Sequence, residues 1–217
     1  MTRVIGVVSQ KGGVGKSTIS LMLAREFTQS GWEVLIADMD SGQASANQSN
    51  MWRMENGIQP ELSVMQFSTV DKALKKAVPY DLVIFDGAPH STRNTEQIGQ
   101  ASDIIILPTG LSRNDLVVQV KLAHEFTKKG IENKKIAFVL SRAGTSSSEI
   151  SAAREYIQEA GYKVLKYEIY EKAGYRAALD VGKTITEVSF PTLREKAERI
   201  AQSIINEFES IEESVYN

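Results

Sequence analysis

A segment near the amino terminus combines three glycines with two lysines and two hydroxyl side chains. It reads Gln10-Lys11-Gly12-Gly13-Val14-Gly15-Lys16-Ser17-Thr18, follows a short apolar run and opens a helical pattern. Glycines let backbone N–H groups converge on phosphate oxygens, and the start of a helix adds partial positive charge. The segment therefore predicts a P-loop in which Lys16 contacts the β- and γ-phosphates and Ser17 binds Mg²⁺. Gln10 replaces the first glycine of the general pattern, so the motif is a deviant one, and a turn without ligand is the alternative.

Three aspartates stand at the ends of apolar runs that have the composition of buried strands. Asp38 and Asp40 close the run that begins at Leu35, and Asp86 closes the run that begins at Leu82. Ligands of open α/β sheets bind at the carboxyl ends of the strands, so we expect these carboxylates to face the phosphates. Asp86 has the Walker B arrangement, which holds Mg²⁺, usually through water. An Asp-Gly pair alone would also suit a turn, but beside a P-loop it predicts a metal-binding role.

Lys11 is a second lysine inside the same loop. Its side chain cannot fold back easily onto the phosphates of its own chain. We therefore expect it to reach the nucleotide of a second copy and to act there in trans, as an arginine finger does. A solvated loop lysine is the alternative interpretation.

Short runs rich in Val and Ile alternate with segments of helical periodicity, an order that predicts parallel strands joined by crossover helices. Several runs are apolar throughout, which is typical of a sheet covered on both faces. The expected fold class is α/β, a doubly wound, mostly parallel central sheet flanked by helices. The predicted strands cover residues 4–8, 34–37, 62–67, 82–85, 104–107, 136–140 and 163–167.

Three helices have clear boundaries in the sequence. One over 17–30 ends at Gly31, a natural C-cap, and one over 69–77 follows a segment similar to a capping box. The last, over 191–211, places Leu193, Ala197, Ile200, Ile204 and Phe208 on one face and should pack onto the sheet. Because neither a repeat nor a linker divides the 217 residues, we expect one P-loop ATPase domain over 1–217.

Composition disfavours several kinds of site. Lys and Arg number 25 and Asp and Glu 27, a net charge of −2, so any contact with nucleic acid must come from a local basic patch. The lack of cysteine excludes disulfides, thiolate nucleophiles and iron–sulfur clusters, and two separated histidines, His90 and His124, disfavour a histidine metal site. No signal peptide or apolar run of about 20 residues is found, so we expect a cytoplasmic protein without membrane binding.

The residues Lys11 to Ser17, Asp38-Met39-Asp40 and Asp86 resemble the ParA/MinD family of deviant Walker A ATPases, over nearly the whole chain. The resemblance implies a Mg²⁺-dependent ATPase, weak until stimulated, that dimerises around two sandwiched ATP molecules. In that family the lysine matching Lys11 contacts the nucleotide across the dimer, and the aspartate matching Asp40 helps to position the attacking water. The resemblance also makes Lys16 the P-loop lysine, Ser17 a metal ligand, and Asp38 and Asp86 parts of the water-mediated shell of Mg²⁺.

Two segments depart from the family pattern. After Asp40 the chain reads Ser41-Gly42-Gln43, one residue longer than the family's Asp-x-Asp-Pro-Gln. The run from Phe138 to Arg142 resembles the strand ending in Asn-Arg or Thr-Arg that holds the base, with Ser141 in place of the usual residue, which implies an adenine contact by Arg142. The nucleotide-binding residues implied by the resemblance are Lys11, Gly12, Gly13, Val14, Gly15, Lys16, Ser17, Thr18 and Arg142.

Within the family the chain is most similar to small ParA-type partition proteins without a helix-turn-helix extension. Its tail over 205–213 is acidic, whereas MinD-like members end in a basic membrane-binding helix. Iron proteins of this fold need cysteines, and its tyrosine kinases carry a tyrosine-rich tail, whereas here only Tyr216 is near the end.

Small ParA-type proteins bind DNA without sequence preference as ATP dimers, through basic residues on the dimer surface. The resemblance points to Lys172, preferred as a single candidate, together with Arg176 and Lys183. Ordinary solvated side chains are the alternative for each of them, and for the further candidates Lys128, Lys129, Lys134, Lys135, Lys163 and Lys166. Trp32 and Trp52 are interpreted as core or interface residues, not as platforms for bases.

The resemblance implies that ATP and Mg²⁺ close a homodimer, that the dimer binds nonspecific DNA and so associates with the nucleoid, and that hydrolysis releases it. A centromere-binding or adaptor protein would stimulate hydrolysis and so partition a plasmid or chromosome. One alternative is a positioning ATPase for a non-DNA cargo, such as a polar complex, a chemoreceptor array or a microcompartment. Others are a MinD-like membrane regulator, disfavoured by the acidic tail, and a metabolic ligase similar to dethiobiotin synthetase, against which Lys11 argues.

Overall fold

A computed structural model describes residues 2–89 and 92–216, so His90 and the side chains of Glu212, Glu213 and Tyr216 lie outside the described residues. Seven strands form one sheet in the order β3-β2-β4-β1-β5-β6-β7, and each neighbouring pair is parallel. The expected doubly wound sheet is confirmed, and it is parallel throughout the described strands. These are β1 (Arg3–Val7), β2 (Val34–Asp38), β3 (Ser63–Gln66), β4 (Leu82–Asp86), β5 (Ile104–Thr109), β6 (Ile136–Leu140) and β7 (Lys163–Val164).

The helices cover both faces of this sheet. Side chains of α1, α2, α7 and α8 share one apolar core, and side chains of α3, α4, α5 and α6 share the other. The helices are α1 (Lys16–Gln29), α2 (Ser45–Glu55), α3 (Val70–Ala77), α4 (Thr92–Ala101), α5 (Arg113–Lys128), α6 (Ser147–Glu159), α7 (Ala173–Leu179) and α8 (Pro191–Tyr216), with short 3₁₀ turns at Asn133–Lys135 and Ile185–Glu187.

The central strands supply both cores because successive side chains point to opposite faces. Ile5 and Val7 of β1 pack into one core, whereas Val4 packs into the other. Because both faces of such strands are buried, polar side chains are disfavoured on either face, which explains the uninterrupted apolar runs in the sequence.

Strand β1 is the centre of the topology. The chain fills one side of β1 with β2, β3 and β4 and then crosses to the other side with β5, β6 and β7. The crevice at the carboxyl end of β1 is therefore the place where an open α/β sheet binds its ligand. The P-loop residues follow β1 directly at this point.

Most predicted boundaries agree with the structure within one or two residues, and two differ more. The last strand, predicted over 163–167, pairs as a strand only at Lys163–Val164. The reason is that the Arg154 guanidinium takes the carbonyl oxygens of Leu165 and Lys166, at 2.7 and 2.6 Å, which turns the chain away from the ladder. Helix α8 runs to Tyr216, beyond the predicted end at 211. The segment Ser68-Thr69-Val70-Asp71, similar to a capping box, does precede a helix, but the N-cap is Thr69, whose side chain accepts a hydrogen bond from the Lys72 N–H.

Candidate nucleotide-binding site

The loop between β1 and α1 depends on backbone conformations that favour glycine. Gly13 and Gly15 have φ angles of 71° and 93°, in the left-handed region where a side chain is unfavourable. Helix α1 begins directly after Gly15, so its free N–H groups point toward the loop. This arrangement is the anion-binding turn that the sequence predicts.

Neighbouring elements hold the loop from both ends. Ser9 Oγ accepts a hydrogen bond from the Lys11 N–H at 3.1 Å and donates to Gln119 of α5 at 3.0 Å. On the other side, the buried Ser141 Oγ at the end of β6 donates to the Val14 carbonyl oxygen at 2.6 Å. Ser141, which departs from the family pattern, thus supports the loop.

Lys16, Ser17 and Asp86 meet at the carboxyl ends of β1 and β4. Lys16 is 8% exposed, and burial lowers the pKa of its ammonium although the charges of Asp86 and Asp40 oppose this effect. Ser17 Oγ donates to Asp86 Oδ2 at 2.6 Å. Burial raises the pKa of Asp86 to about 7, against the hydrogen bond from Ser17. The three side chains form a compact cluster with few solvent contacts.

The oxygen atoms of Ser17 and Asp86 suit Mg²⁺, which takes hard oxygen ligands. Within residues 2–89 and 92–216 there is no group of three or more His, Cys, Asp or Glu side chains that could hold a metal. Mg²⁺ commonly uses only one or two protein oxygens and completes its shell with phosphate and water. Ser17 and Asp86 could therefore hold Mg²⁺ together with bound phosphates, where the ion would neutralise phosphate charge.

The two aspartates after β2 have different surroundings. Asp38 is fully buried, and its oxygens accept the N–H groups of Asp40 and Asn47 at 3.0 and 3.1 Å, so it fixes the start of α2. Asp40 lines a cavity of about 270 Å³ together with Lys16 and Ser17, and its Oδ1 caps the N–H groups of Gly42 and Gln43 at 3.0 Å. The structure thus brings Asp40 to the cavity that Lys16 and Ser17 line, and the roles of Asp40 beside the attacking water and of Asp38 near Mg²⁺ stay predictions.

The loop after Asp40 also brings Gln43 to this cavity, which the lengthened sequence left open. Trp52 of α2 lines the same cavity. The sequence predicts a core or interface position for Trp52, and because 36 residues separate it from Lys16, no local pattern indicates that the two share a cavity.

Lys11 turns away from this cavity. Its ammonium forms an ion pair with Asp115 of α5 in the same chain, and its backbone carbonyl accepts a hydrogen bond from Lys16 Nζ at 3.1 Å. Asp115 also accepts a hydrogen bond from Ser112. Although burial acts to raise it, the hydrogen bonds from Lys11 and Ser112 lower the pKa of Asp115. Asp115 was missed in the sequence; its one signal is its place in the first turn after β5, near the carboxyl edge of the sheet.

Arg142 lies at the junction of the P-loop and a second cavity of about 260 Å³. Its Nη1 donates to the Gly13 carbonyl oxygen at 3.4 Å, and its φ of 53° aims the chain back across the loop. The cavity has mostly apolar walls that suit a flat ring, and the adenine contact of Arg142 stays a prediction. No pattern in the sequence indicates the residues that form most of the cavity's apolar wall, which are Ile169, Tyr170, Tyr175, Leu179 and Ile185.

The proposed DNA-contacting residues are not all on one surface. Lys172 and Arg176 line the second cavity, and Lys183 is half-buried after Gly182. Arg176 pairs with Glu171 at 3.4 Å, and several other candidates also pair with glutamates: Lys129 with Glu96, Lys134 with Glu132 and Lys163 with Glu207. Lys172 and Arg176 are therefore the pair that the structure brings together.

Trp32, the other tryptophan, is partly buried and packs on Phe27 with ring centroids 5.1 Å apart, which confirms a core role. None of the helices in the described part of the chain combines the length and the apolar character that crossing a bilayer requires.

Comparison with known proteins agrees with this geometry. Protein ParA of Rhizobium radiobacter is 23% identical over 186 residues, which cover 82% of this chain and 83% of the relative. Maintenance of carboxysome distribution protein A of Halothiobacillus neapolitanus is 28% identical over 207 residues, which cover 94% of each. The solved structure of the septum site-determining protein MinD with Mg-ADP from Pyrococcus horikoshii covers 94% of this chain and 96% of that one, with a TM-score of 0.73 at 19% identity, and so shows the same fold. The model of the family described as CbiA, the CobQ/CobB/MinD/ParA nucleotide binding domain, matches residues 5–186. The chain therefore belongs to the CobQ/CobB/MinD/ParA family of nucleotide-binding domains.

Proposed function

We propose that this chain is an ATP-dependent positioning ATPase whose ATP-bound homodimer binds DNA without sequence preference and distributes a cargo. A partner protein on the cargo stimulates its slow hydrolysis. The MinD/ParA proteins of its family are P-loop ATPases. The observation that carries the proposal is that the two lysines of the loop lie in different places. Lys16 faces the cavity. Lys11 lies outside it, and its ammonium forms a partly exposed ion pair with Asp115 that a second copy could replace.

Each side chain of the cavity has a part in this proposal. Lys16 neutralises phosphate oxygens, because it is held among buried groups where its charge is poorly screened. Asp40 orients the attacking water, and its fixed turn keeps the carboxylate in place. Lys11 of a second copy stabilises the charge that develops on the transferred phosphate.

Two kinds of cargo have support. The similarity to small ParA-type proteins favours a plasmid or chromosome, and it is the first candidate. The name of the relatives from Gloeobacter kilaueensis and Halothiobacillus neapolitanus, which refers to carboxysome distribution, favours a protein compartment. In both cases the ATP-driven dimer is the same, so one experiment tests the core of the proposal.

The test follows dimerisation by light scattering, and binding to random-sequence duplex DNA, with ADP, with ATP and with a slowly hydrolysed ATP analogue. Lys11→Ala should abolish ATP-dependent dimerisation and stimulated hydrolysis while the thermal midpoint of unfolding changes little, because the ion pair that it removes within the chain, with Asp115, is partly exposed and contributes about 1 kcal/mol or less. Lys129→Ala is the matched control, since Lys129 is an exposed lysine paired with Glu96.

Asp40→Asn separates binding from hydrolysis. The amide oxygen can still cap the turn at Gly42 and Gln43, so the variant should dimerise with ATP and hydrolyse it slowly. If Lys11→Ala dimerises as the unaltered chain does, the proposed sandwich dimer is wrong. If Asp40→Asn hydrolyses ATP at the normal rate, Asp40 does not orient the attacking water. Dimerisation without DNA binding would keep the switch and move the surface on which it acts away from DNA.

A further inference from the structure

Helix α2 buries two large polar side chains and exposes three large apolar ones. Its buried residues are Ala46, Asn50 and Arg53. Met51, Trp52 and Met54 are 47%, 37% and 65% exposed. A surface helix of a globular protein normally shows the opposite pattern, because apolar side chains gain free energy by leaving water.

The inward side of α2 is held by polar contacts within the chain. Arg53 is 1% exposed and forms a bidentate ion pair with Glu187, at 2.7 and 2.9 Å. Its remaining donors reach the carbonyl oxygens of Pro60 and Gly182 at 2.9 and 3.2 Å. The folding of this chain therefore accounts for the buried face of α2 but not for its exposed methionines and tryptophan.

The exposed apolar residues of α2 belong to a larger patch. Val181 is 42% exposed, and its carbonyl oxygen accepts a hydrogen bond from Asn56 at the end of α2 at 3.2 Å. We call Met51, Trp52, Met54 and Val181 the α2 patch. It contains four of the seven large hydrophobic side chains that residues 2–89 and 92–216 expose, so the exposed apolar surface is concentrated here. Such a concentration is typical of an interaction site.

The position of the α2 patch identifies what covers it. Trp52 lines the same cavity as Lys16 and Asp40, so a body that closes this cavity must also lie against α2. The glycines of the P-loop offer little apolar area, whereas a specific interface buries about 800 Å² on each partner and has an apolar centre rich in Met and Trp. The exposed charge of α2 is Glu55 alone, since Arg53 is buried, so a twofold axis would not bring clusters of like charge together.

We propose that the α2 patch is a contact surface for a second copy of this chain in the ATP-bound state. The inference rests on the proposed function, because the cavity beside Trp52 is the one that the ATP dimer would close. It adds that α2, and not the P-loop alone, supplies the apolar part of the dimer interface.

The chain has no cysteine, so a single introduced thiol reports on one position. Met51→Cys places the thiol in the α2 patch, at a residue outside the cavity lining. Val78→Cys is the control, because Val78 is 75% exposed and lies beside Arg3 at the opposite end of β1. The rate of maleimide labelling is measured with ADP and with the slowly hydrolysed ATP analogue, while light scattering records the dimer. Labelling of Met51→Cys should slow by about tenfold or more in the ATP form, and labelling of Val78→Cys should not change.

A second variant tests the energetic role of the patch. Met51→Glu should weaken ATP-dependent dimerisation by about tenfold or more, because each interface would bury two uncompensated carboxylates, and nucleotide binding and the thermal midpoint of unfolding should be unaltered. Val78→Glu should dimerise normally.

Four results would overturn the inference. A Met51→Cys dimer that is labelled as fast as the monomer, or a Met51→Glu protein that dimerises as tightly as the unaltered chain, removes α2 from the interface and leaves the proposed function intact. Protection that requires DNA or a partner protein assigns the patch to that partner. If the unaltered chain forms no dimer with ATP, the proposed function fails as well, and light scattering shows this separately.

Discussion

Lys11 and Lys16 belong to one loop and meet different surroundings. Lys16 is buried beside Asp86 and Ser17, whereas Lys11 is about one third exposed and pairs with Asp115 of its own chain. A lysine that acts in trans must first leave such a partner. In the proposed dimer, the ion pair would therefore compete with the second nucleotide for the same ammonium group.

Asp115→Asn tests this competition. The change removes the carboxylate charge and keeps a side chain that can bond to Ser112, so it should release Lys11 and tighten ATP-dependent dimerisation by up to about fivefold. This magnitude corresponds to about 0.5 kcal/mol for each of the two ion pairs that a dimer would release, as expected for partly exposed partners. The dimer dissociation constant is measured by light scattering, with Ser112→Ala as a control that keeps the carboxylate. Weaker dimerisation of Asp115→Asn would show instead that Asp115 contributes to the dimer.

At the scale of the elements, the ion pair between Arg53 and Glu187 joins α2 to the turn Ile185–Glu187. The two residues are 134 positions apart in the sequence. Gly182 lies so close to α2 that a Cβ atom at this position would be 2.2 Å from the backbone nitrogen of Arg53. The two segments flank the nucleotide cavities, since Trp52 lines one and Ile185 the other. The ion pair thus sets the spacing between the two walls.

Arg53→Met should lower the free energy of unfolding by up to about 3–5 kcal/mol, because the mostly buried Glu187 carboxylate loses its bidentate partner and keeps Arg25 at the longer distance of 3.8 Å. Denaturant unfolding measures the loss, and Arg199→Met is the control, since Arg199 forms an exposed pair with Glu195. A loss as small as that of the control would mean that the pair contributes little.

The same pair predicts a pH dependence. Although burial acts to raise it, hydrogen bonds from Arg53 and Thr184 lower the pKa of Glu187. The stabilisation is therefore present above the usual pKa of a glutamate and is lost as pH falls through the lower pKa of the folded state. In Arg53→Met, the Thr184 N–H still donates to Glu187 and Arg25 Nε still lies 3.8 Å from its carboxylate, so this loss of stability in acid should become smaller.

At the scale of the whole molecule, charge is distributed without a large excess of either sign, with a net charge of −2. Many lysines are paired with glutamates, and Lys172 lies over the ring of Tyr170 instead, 5.8 Å from its centroid. Binding to DNA should therefore depend on a few cations that dimerisation brings together.

Replacing Lys172, Arg176 and Lys183 with alanine should remove most of the DNA binding of the ATP form. If a dimer uses all three on each copy, the slope of log K against log salt concentration should become shallower by up to about 5. Alanine at Lys129, Lys134 and Lys163 is the control, because it removes the same number of cations away from the second cavity, and it should change the slope little. An unchanged slope in the first variant would place the DNA surface elsewhere, provided that it still dimerises with ATP.

The sequence predicts those parts of the fold and site that depend on local order. The P-loop, the ends of β2 and β4 and the cap at Thr69 are contiguous patterns, so Lys16, Ser17, Asp40 and Asp86 could be found without a structure. Asp115, Trp52 and the apolar walls of the second cavity could not, because their contacts join distant segments. Helix α2 shows the same limit: its apolar residues would be assigned to a core by composition, and the buried Arg53 reverses this assignment.

The central place of β1 has a consequence for how the protein is made. β1 lies between β4 and β5, so its hydrogen bonds on both edges wait until residues up to 109 have been synthesised. Contacts between such distant segments form slowly, because a long loop must close first. The turn Ile185–Glu187, which fixes α2 through Arg53, comes later still. Nucleotide binding should therefore not stabilise a partly synthesised chain during translation. The pocket for the nucleotide is complete only when about five sixths of the residues have emerged from the ribosome.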